Sequence, residues 1–291
     1  SHPRLSVDAA LMSLAQGLKG NAQIEAELAA RISSGAAAAD LAKCVQSGAL
    51  TVASAMAQAQ AGADQSHVSR AGALAGLNLA LGGDASVQTA LAAAVKTAAA
   101  ASHAVNVVEA VAGLRHISAD AALAALDRAL GGNDIVEAEL TTRMANGAVV
   151  SDLAALVKDK TMTVDQAMAV VDSVIAQAHG SALDVIVQKD GLRIALDQTN
   201  AATAMADVKA CIAANGLSWD LGLVKLAGVT HSDATVATEL TTRMLNGQMA
   251  ADLANQINSR TIASQRMLAG EISRETAKQM VANAMAPAQC A

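Results

Sequence analysis

The apolar residues of this chain recur at three- and four-residue spacing, the period of one helix face. The pattern is plainest between Ser118 and Ile175. Leu123, Leu126 and Leu130 form one stripe, with Ser118 placed as an N-cap and Gly131-Gly132 as the stop. Val136, Leu140 and Met144 follow at four-residue spacing and end at Gly147. Leu153, Leu156 and Val157 make a third stripe, and Val164, Ala167, Met168, Val171 and Ile175 a fourth. The spacing predicts helices over about residues 120–130 and 134–146, a third ending in a turn near 158–161, and a fourth starting near Thr163. No stretch sustains strand alternation, so the expected fold is all-α.

The pattern repeats along the chain. Residues 5–56 match 117–168 without a gap, so Asp8, Leu14, Glu27, Arg31, Gly35 and Asp40 become Asp120, Leu126, Glu139, Arg143, Gly147 and Asp152. A further copy follows 100 residues on, and Glu139 to Met144 and Glu239 to Met244 are the same string. Two weaker copies fill the gaps. Leu74, Leu77, Leu81, Gly82 and Gly83 match Leu123, Leu126, Leu130, Gly131 and Gly132, and a shortened unit lies around Leu192 to Ile212. The expected units are 5–66, a divergent second at 67–116, 117–179, a shortened fourth at 180–216, and 217–268. A capping helix and tail are expected over 269–291. One such unit cannot bury its stripes alone, so tandem units should stack as an α-solenoid or pair as helical bundles.

Composition narrows the picture. There is no Phe or Tyr and one Trp, so Ala, Leu, Val, Ile and 11 Met must fill the core. Both prolines, Pro3 and Pro287, lie near the ends, which leaves the interior free to be helical. The net charge of -6 and scattered basic residues disfavour a phosphate-binding surface, and a nucleic-acid reader also lacks stacking aromatics. No apolar run reaches the roughly 18–20 residues of a membrane span. Cys44, Cys211 and Cys290 are too few and too far apart for a disulfide framework, which fits a cytoplasmic protein or one secreted into a host cell. The sequence opens Ser1-His2-Pro3 without a Met, so Ser1-His2 reads as a tag remnant and the N-terminus as truncated.

Candidate chemistry is sparse. Glu27/Arg31, Glu139/Arg143 and Glu239/Arg243 recur at i, i+4, each followed nine residues after the Arg by Asp40, Asp152 or Asp252. The expectation is a solvated intrahelical pair of about 0.3–0.5 kcal/mol, with the Asp favoured by the dipole at the next helix start. The second unit replaces these positions with Ala90, Ala94 and His103. No His-x-x-x-His or Cys-x-x-Cys spacing suggests a metal, and neither a phosphate loop nor a nucleophile elbow is present, so no cofactor or catalytic residue is assigned.

The functional expectation is a non-enzymatic protein-interaction or scaffold module, in keeping with an Ala-rich bacterial secreted effector or surface protein. The alternative is a carrier or enzyme with an apolar cavity between bundles. Binding should map to departures from the repeat template, because positions shared by every unit are explained by packing. Trp219, which stands where other units have Val7 and Ala119, is the first candidate partner contact. His103 in the divergent unit and Arg193 in the shortened one are the others. Trp219 has a competing role as a filler at the junction between units.

Overall fold

The computed structural model describes residues 7–18, 21–215, 217–231, 233–255 and 257–258. Among them the chain is helical, without a strand. The helices are α1 (Val7–Gly17), α2 (Ala22–Ser33), α3 (Ala36–Gln46), α4 (Val52–Gln65), α5 (Arg70–Ala80), α6 (Ala85–Ala94), α7 (Ala98–Arg115) and α8 (Ala119–Leu130). They continue as α9 (Asp134–Ala145), α10 (Ala148–Lys158), α11 (Val164–Gln177), α12 (Ala182–Ala195), α13 (Ala201–Asn215), α14 (Trp219–Val229) and α15 (Ala234–Leu245). Residues 248–255 are helical again. The capping helix expected over 269–291 lies outside the described residues.

Local chemistry sets the ends of these helices. Ser118 Oγ accepts from Ala121 N–H at 3.1 Å, and Thr51 and Ser218 cap α4 and α14 in the same way. Thr163 and Gln166 cap α11 reciprocally, each side chain accepting the other's backbone N–H. Gly131, at φ +74°, closes α8 in the left-handed region. His67, His116, His179 and His231 also adopt positive φ just past α4, α7, α11 and α14. Four of the six histidines are therefore helix stops.

The repeat is visible in where helices begin. Starts at Val7, Ala22, Ala36 and Val52 recur 112 residues later at Ala119, Asp134, Ala148 and Val164. Starts at Trp219 and Ala234 lie 100 residues beyond Ala119 and Asp134.

The described residues fall into two compact units, one reaching to Leu140 with Ala176–Ala178, the other from Thr141 to Ile175 and onward from His179. In the first, α5 packs most closely on α7, and α3 and α4 also lie on α5. Ala38, Ala42, Ala80, Val107 and Val111 form its small-residue core. Gly76 permits the approach, since a Cβ there would stand 2.8 Å from Val107 Cγ1. In the second, α12 packs against α10, α13 and α14, burying Leu153, Leu183, Leu192, Ile212 and Leu223 completely.

The recurring arginines do not make the expected intrahelical pair. Arg31 Nε donates to Asp8 Oδ1 at 2.7 Å and Arg31 Nη2 to Asp40 Oδ2 at 2.5 Å, joining α2 to α1 and α3. Arg243 joins Asp220, at 2.6 Å, and Asp252 in the same way. Arg143 Nη2 binds Asp152 at 2.5 Å. Glu27 points to solvent and forms no ion pair with Arg31 among the described residues. The cause is burial. The side chains of Asp8 and Asp220 are 5% and 9% exposed, and a buried carboxylate without a cation is far costlier than a solvated glutamate without one. The Asp8 hydrogen bond and charge hold the Arg31 guanidinium above its ordinary value, against a smaller opposing effect of burial. For Arg243 burial is the larger influence and lowers it, yet Asp220 and Asp252 together keep it raised.

Candidate functional site

The three residues expected to contact a partner occupy different settings. Trp219 is 4% exposed, so it fills space at the start of α14 and is not a surface anchor. Lys209 Nζ of α13 stands over its ring, 4.7 Å from the centroid. His103 lies in the first compact unit, half-buried on α7 against Gly72 of α5. Its Nε2 is buried without a hydrogen-bond partner, and burial lowers its pKa. Arg193 alone is exposed, and it lines a groove of about 630 Å³ between α12 and α13.

The groove lies within residues 182–211, where the sequence predicts a shortened unit. Ser181 and Asp184 start α12 with a capping box, and Lys225 Nζ ties Asp184 to α14 at 2.6 Å. Burial opposes the Asp184 charge, but Lys225 and Ser181 hold its pKa below the ordinary value. With α12 fixed at this end, Ala182, Val185 and Ile186 form one apolar wall and Ala210 of α13 contributes to the other.

Charged groups stand among these apolar ones. Asp190 lines the groove with its side chain 4% exposed. Its Oδ1 accepts from Arg193 Nη1 at 2.9 Å, while Oδ2 is buried with no hydrogen-bond partner. Burial pushes the Asp190 carboxyl up, the bond from Arg193 opposes that, and Asp207 adds to it. Lys189 is held by Asp172 at 2.7 Å. Asp207 is exposed and has no ion-pair partner among the described residues. With both cations engaged, the uncompensated charge of the groove is negative. Cys211 offers a half-buried thiol on the α13 wall.

Sequence reasoning reached Arg193 through the shortening of its unit but missed Asp190, Asp207 and Cys211. The i, i+3 spacing of Asp190 and Arg193 is visible in the chain, whereas the burial of Asp190 depends on helices packed around α12. A second cleft of about 380 Å³ is lined by Val150, Ala154, Gly191, Ile194 and Val229. No three His, Cys, Asp or Glu side chains among the described residues are grouped to hold a metal ion. No described helix is long and apolar enough to cross a membrane. Comparison of the chain with protein-family models, curated proteins and solved structures gave no match.

Proposed function

We propose that this chain is a non-enzymatic interaction module that holds a protein partner in the groove between α12 and α13. One observation carries the reading: the groove opens where the sequence predicts a shortened unit, and it sets apolar walls beside an unpaired acidic group, Asp207. In the third unit Leu123, Leu140, Met144 and Leu153 are buried against neighbouring helices, so an apolar wall left open in the groove is available to something else. The best-fitting occupant is an extended or helical segment with an aliphatic body and a basic side chain. Val185 and Ile186 would take the body, and Asp207 the cation. The net charge of -6 favours such a partner at long range.

The supporting experiment compares variants in partner binding. Ile186→Glu places a charge on the apolar wall and should weaken binding on the order of a hundredfold, as loss of an interface anchor does. Asp207→Lys should weaken it chiefly at low salt. Thr141→Ala, an exposed position of a regular unit, should leave affinity unchanged. Equal losses at all three positions would refute the groove as the site. The apolar cleft beside Val150, Ile194 and Val229 favours a second reading, a carrier for a small apolar ligand. In that case Ile194→Glu, and not Ile186→Glu, would abolish binding.

A further inference from the structure

Two helices of this chain can be compared position by position. α5 and α12 begin 112 residues apart, at Arg70 and Ala182, each behind a serine N-cap, Ser69 or Ser181. In that register Asp190 of α12 stands where α5 has Asn78. Both side chains are buried. Each also has an oxygen with no hydrogen-bond partner among the described residues, Oδ1 of Asn78 and Oδ2 of Asp190. A buried acceptor left unpaired is costly and rare in native proteins.

The surroundings of the two oxygens differ. On α5 Asn78 is flanked on its own face by Leu74, Leu77 and Leu81. Leu74 and Leu77 are fully buried, and Leu81 packs on the core formed by Ala38, Ala42 and Val111. The neutral amide is thus sealed in an apolar interior. On α12 the same three places hold Ile186, Lys189 and Arg193, and these line the open groove together with Asp190. Asp207 of α13 lines it as well. The difference is concerted: the amide is replaced by a carboxylate, two leucines by cations, and the closed face by an open one.

The ion pair with Arg193 does not account for Asp190. Arg193 Nη1 reaches only Oδ1, and its side chain is 47% exposed where that of Asp190 is 4% exposed. A carboxylate largely out of water is therefore held, on one oxygen, by a cation largely in water, which compensates its burial poorly. Lys189 is taken up by Asp172. Burial raises the Asp190 carboxyl, Arg193 opposes the rise, and the negative charge of Asp207 adds to it, so the two acids sense each other in the groove. A cation placed between them relieves both.

We propose that Asp190 Oδ2 and Asp207 together receive an organic cation, an ammonium or guanidinium group on an aliphatic chain, and that Arg193 holds Asp190 in its absence and competes with it. The assignment rests on the groove being the partner's site, and it makes a basic side chain of the partner the group that enters. Val185 and Ile186 flank its aliphatic part. The incoming N–H donates a charge-assisted hydrogen bond to the open oxygen, while Arg193, already half in water, loses little by turning outward.

The test is a titration of the full 291-residue chain with n-butylammonium and n-propylguanidinium, the side-chain fragments of lysine and arginine, followed by amide chemical shifts. The uncharged comparison is n-butanol. At least one cation should shift amides of α12 and α13, and n-butanol should not. Asp190→Asn installs the side chain that α5 carries at Asn78, and it should raise the half-saturating concentration on the order of tenfold. Asp207→Asn, at an exposed position, should act likewise, and it carries the test if circular dichroism shows that Asp190→Asn disturbs the fold. Arg193→Gln keeps a donor for Oδ1 without the competing charge and should lower the half-saturating concentration about threefold. Asp165→Asn, an exposed acid of α11, should change nothing, which separates the site from general attraction to an acidic chain. Unaltered affinity in a folded Asp190→Asn, an equal response to n-butanol, or weaker binding in Arg193→Gln would overturn the proposal. The groove itself is decided separately, by Ile186→Glu in partner binding, and can survive that result.

Discussion

The pair α5–α7 and the pair α12–α13 both lie where the sequence predicts a departure from the repeat frame, yet they pack in opposite ways. Between α5 and α7 the gap closes. Gly72 and Gly76 let the helices approach until a Cβ at Gly72 would lie 2.0 Å from the His103 ring. Between α12 and α13 a groove of about 630 Å³ stays open, with a buried carboxylate in its lining. Loss of the repeated charges therefore does not by itself make a binding surface. Small residues can seal the space, and only where they do not is there room for a partner.

The regular units give the scale for this comparison. Removing a clamp arginine leaves a buried aspartate uncompensated, so Arg31→Ala should cost about 3–5 kcal/mol in chemical denaturation. The second unit has Ala94 at that position and should depend on close packing instead. Gly76→Val should cost about 1–3 kcal/mol through overpacking against Val107 and Ala38. The open pair should tolerate the same kind of change. Ala182→Val, on the exposed groove wall, should stay within about 0.5 kcal/mol of the wild type. A large loss there would mean that the groove is closed in solution.

A smaller effect separates the two regions by pH. Burial holds His103 below its ordinary value, so the unfolded chain takes up a proton before the folded one does. Its contribution is constant above about pH 6.5 and becomes destabilising as pH falls from there toward the lowered folded value. His103→Asn should flatten stability against pH across that window, and an unchanged slope would place the cause elsewhere. The smallest effect is expected at Glu27, where Ala should change stability by no more than about 0.5 kcal/mol because the residue is solvated and Arg31 is bound to aspartates.

Helix positions were legible in the sequence because they rest on local signals. Ser118, Thr163, Gly131 and the four-residue spacing of Val136, Leu140 and Met144 act within a turn or two of themselves. The arginine partners were not legible in that way. The i, i+4 spacing of Glu27 and Arg31 satisfies a local rule, but Asp8 lies 23 residues away and prevails because α1 and α3 bury it against the guanidinium. Trp219 shows the same limit. Its place outside the repeat pattern was readable, but its burial under Lys209 depends on how α13 meets α14. The groove lies between these cases. The shortening of the fourth unit pointed to Arg193, while the position of Asp190 required the helices to be assembled.

Thiol labelling tests the central claim, that the open departure from the repeat is where a partner binds, most directly. Cys211 lines the groove, and Cys44 of α3 serves as a reference in a regular unit. Mass spectrometry would follow alkylation at each cysteine, with and without the partner captured by the chain. Occupation of the groove should slow labelling of Cys211 on the order of tenfold while leaving Cys44 unchanged, and prior alkylation of Cys211 should block binding. Tight partner binding with undiminished labelling at Cys211 would contradict the account.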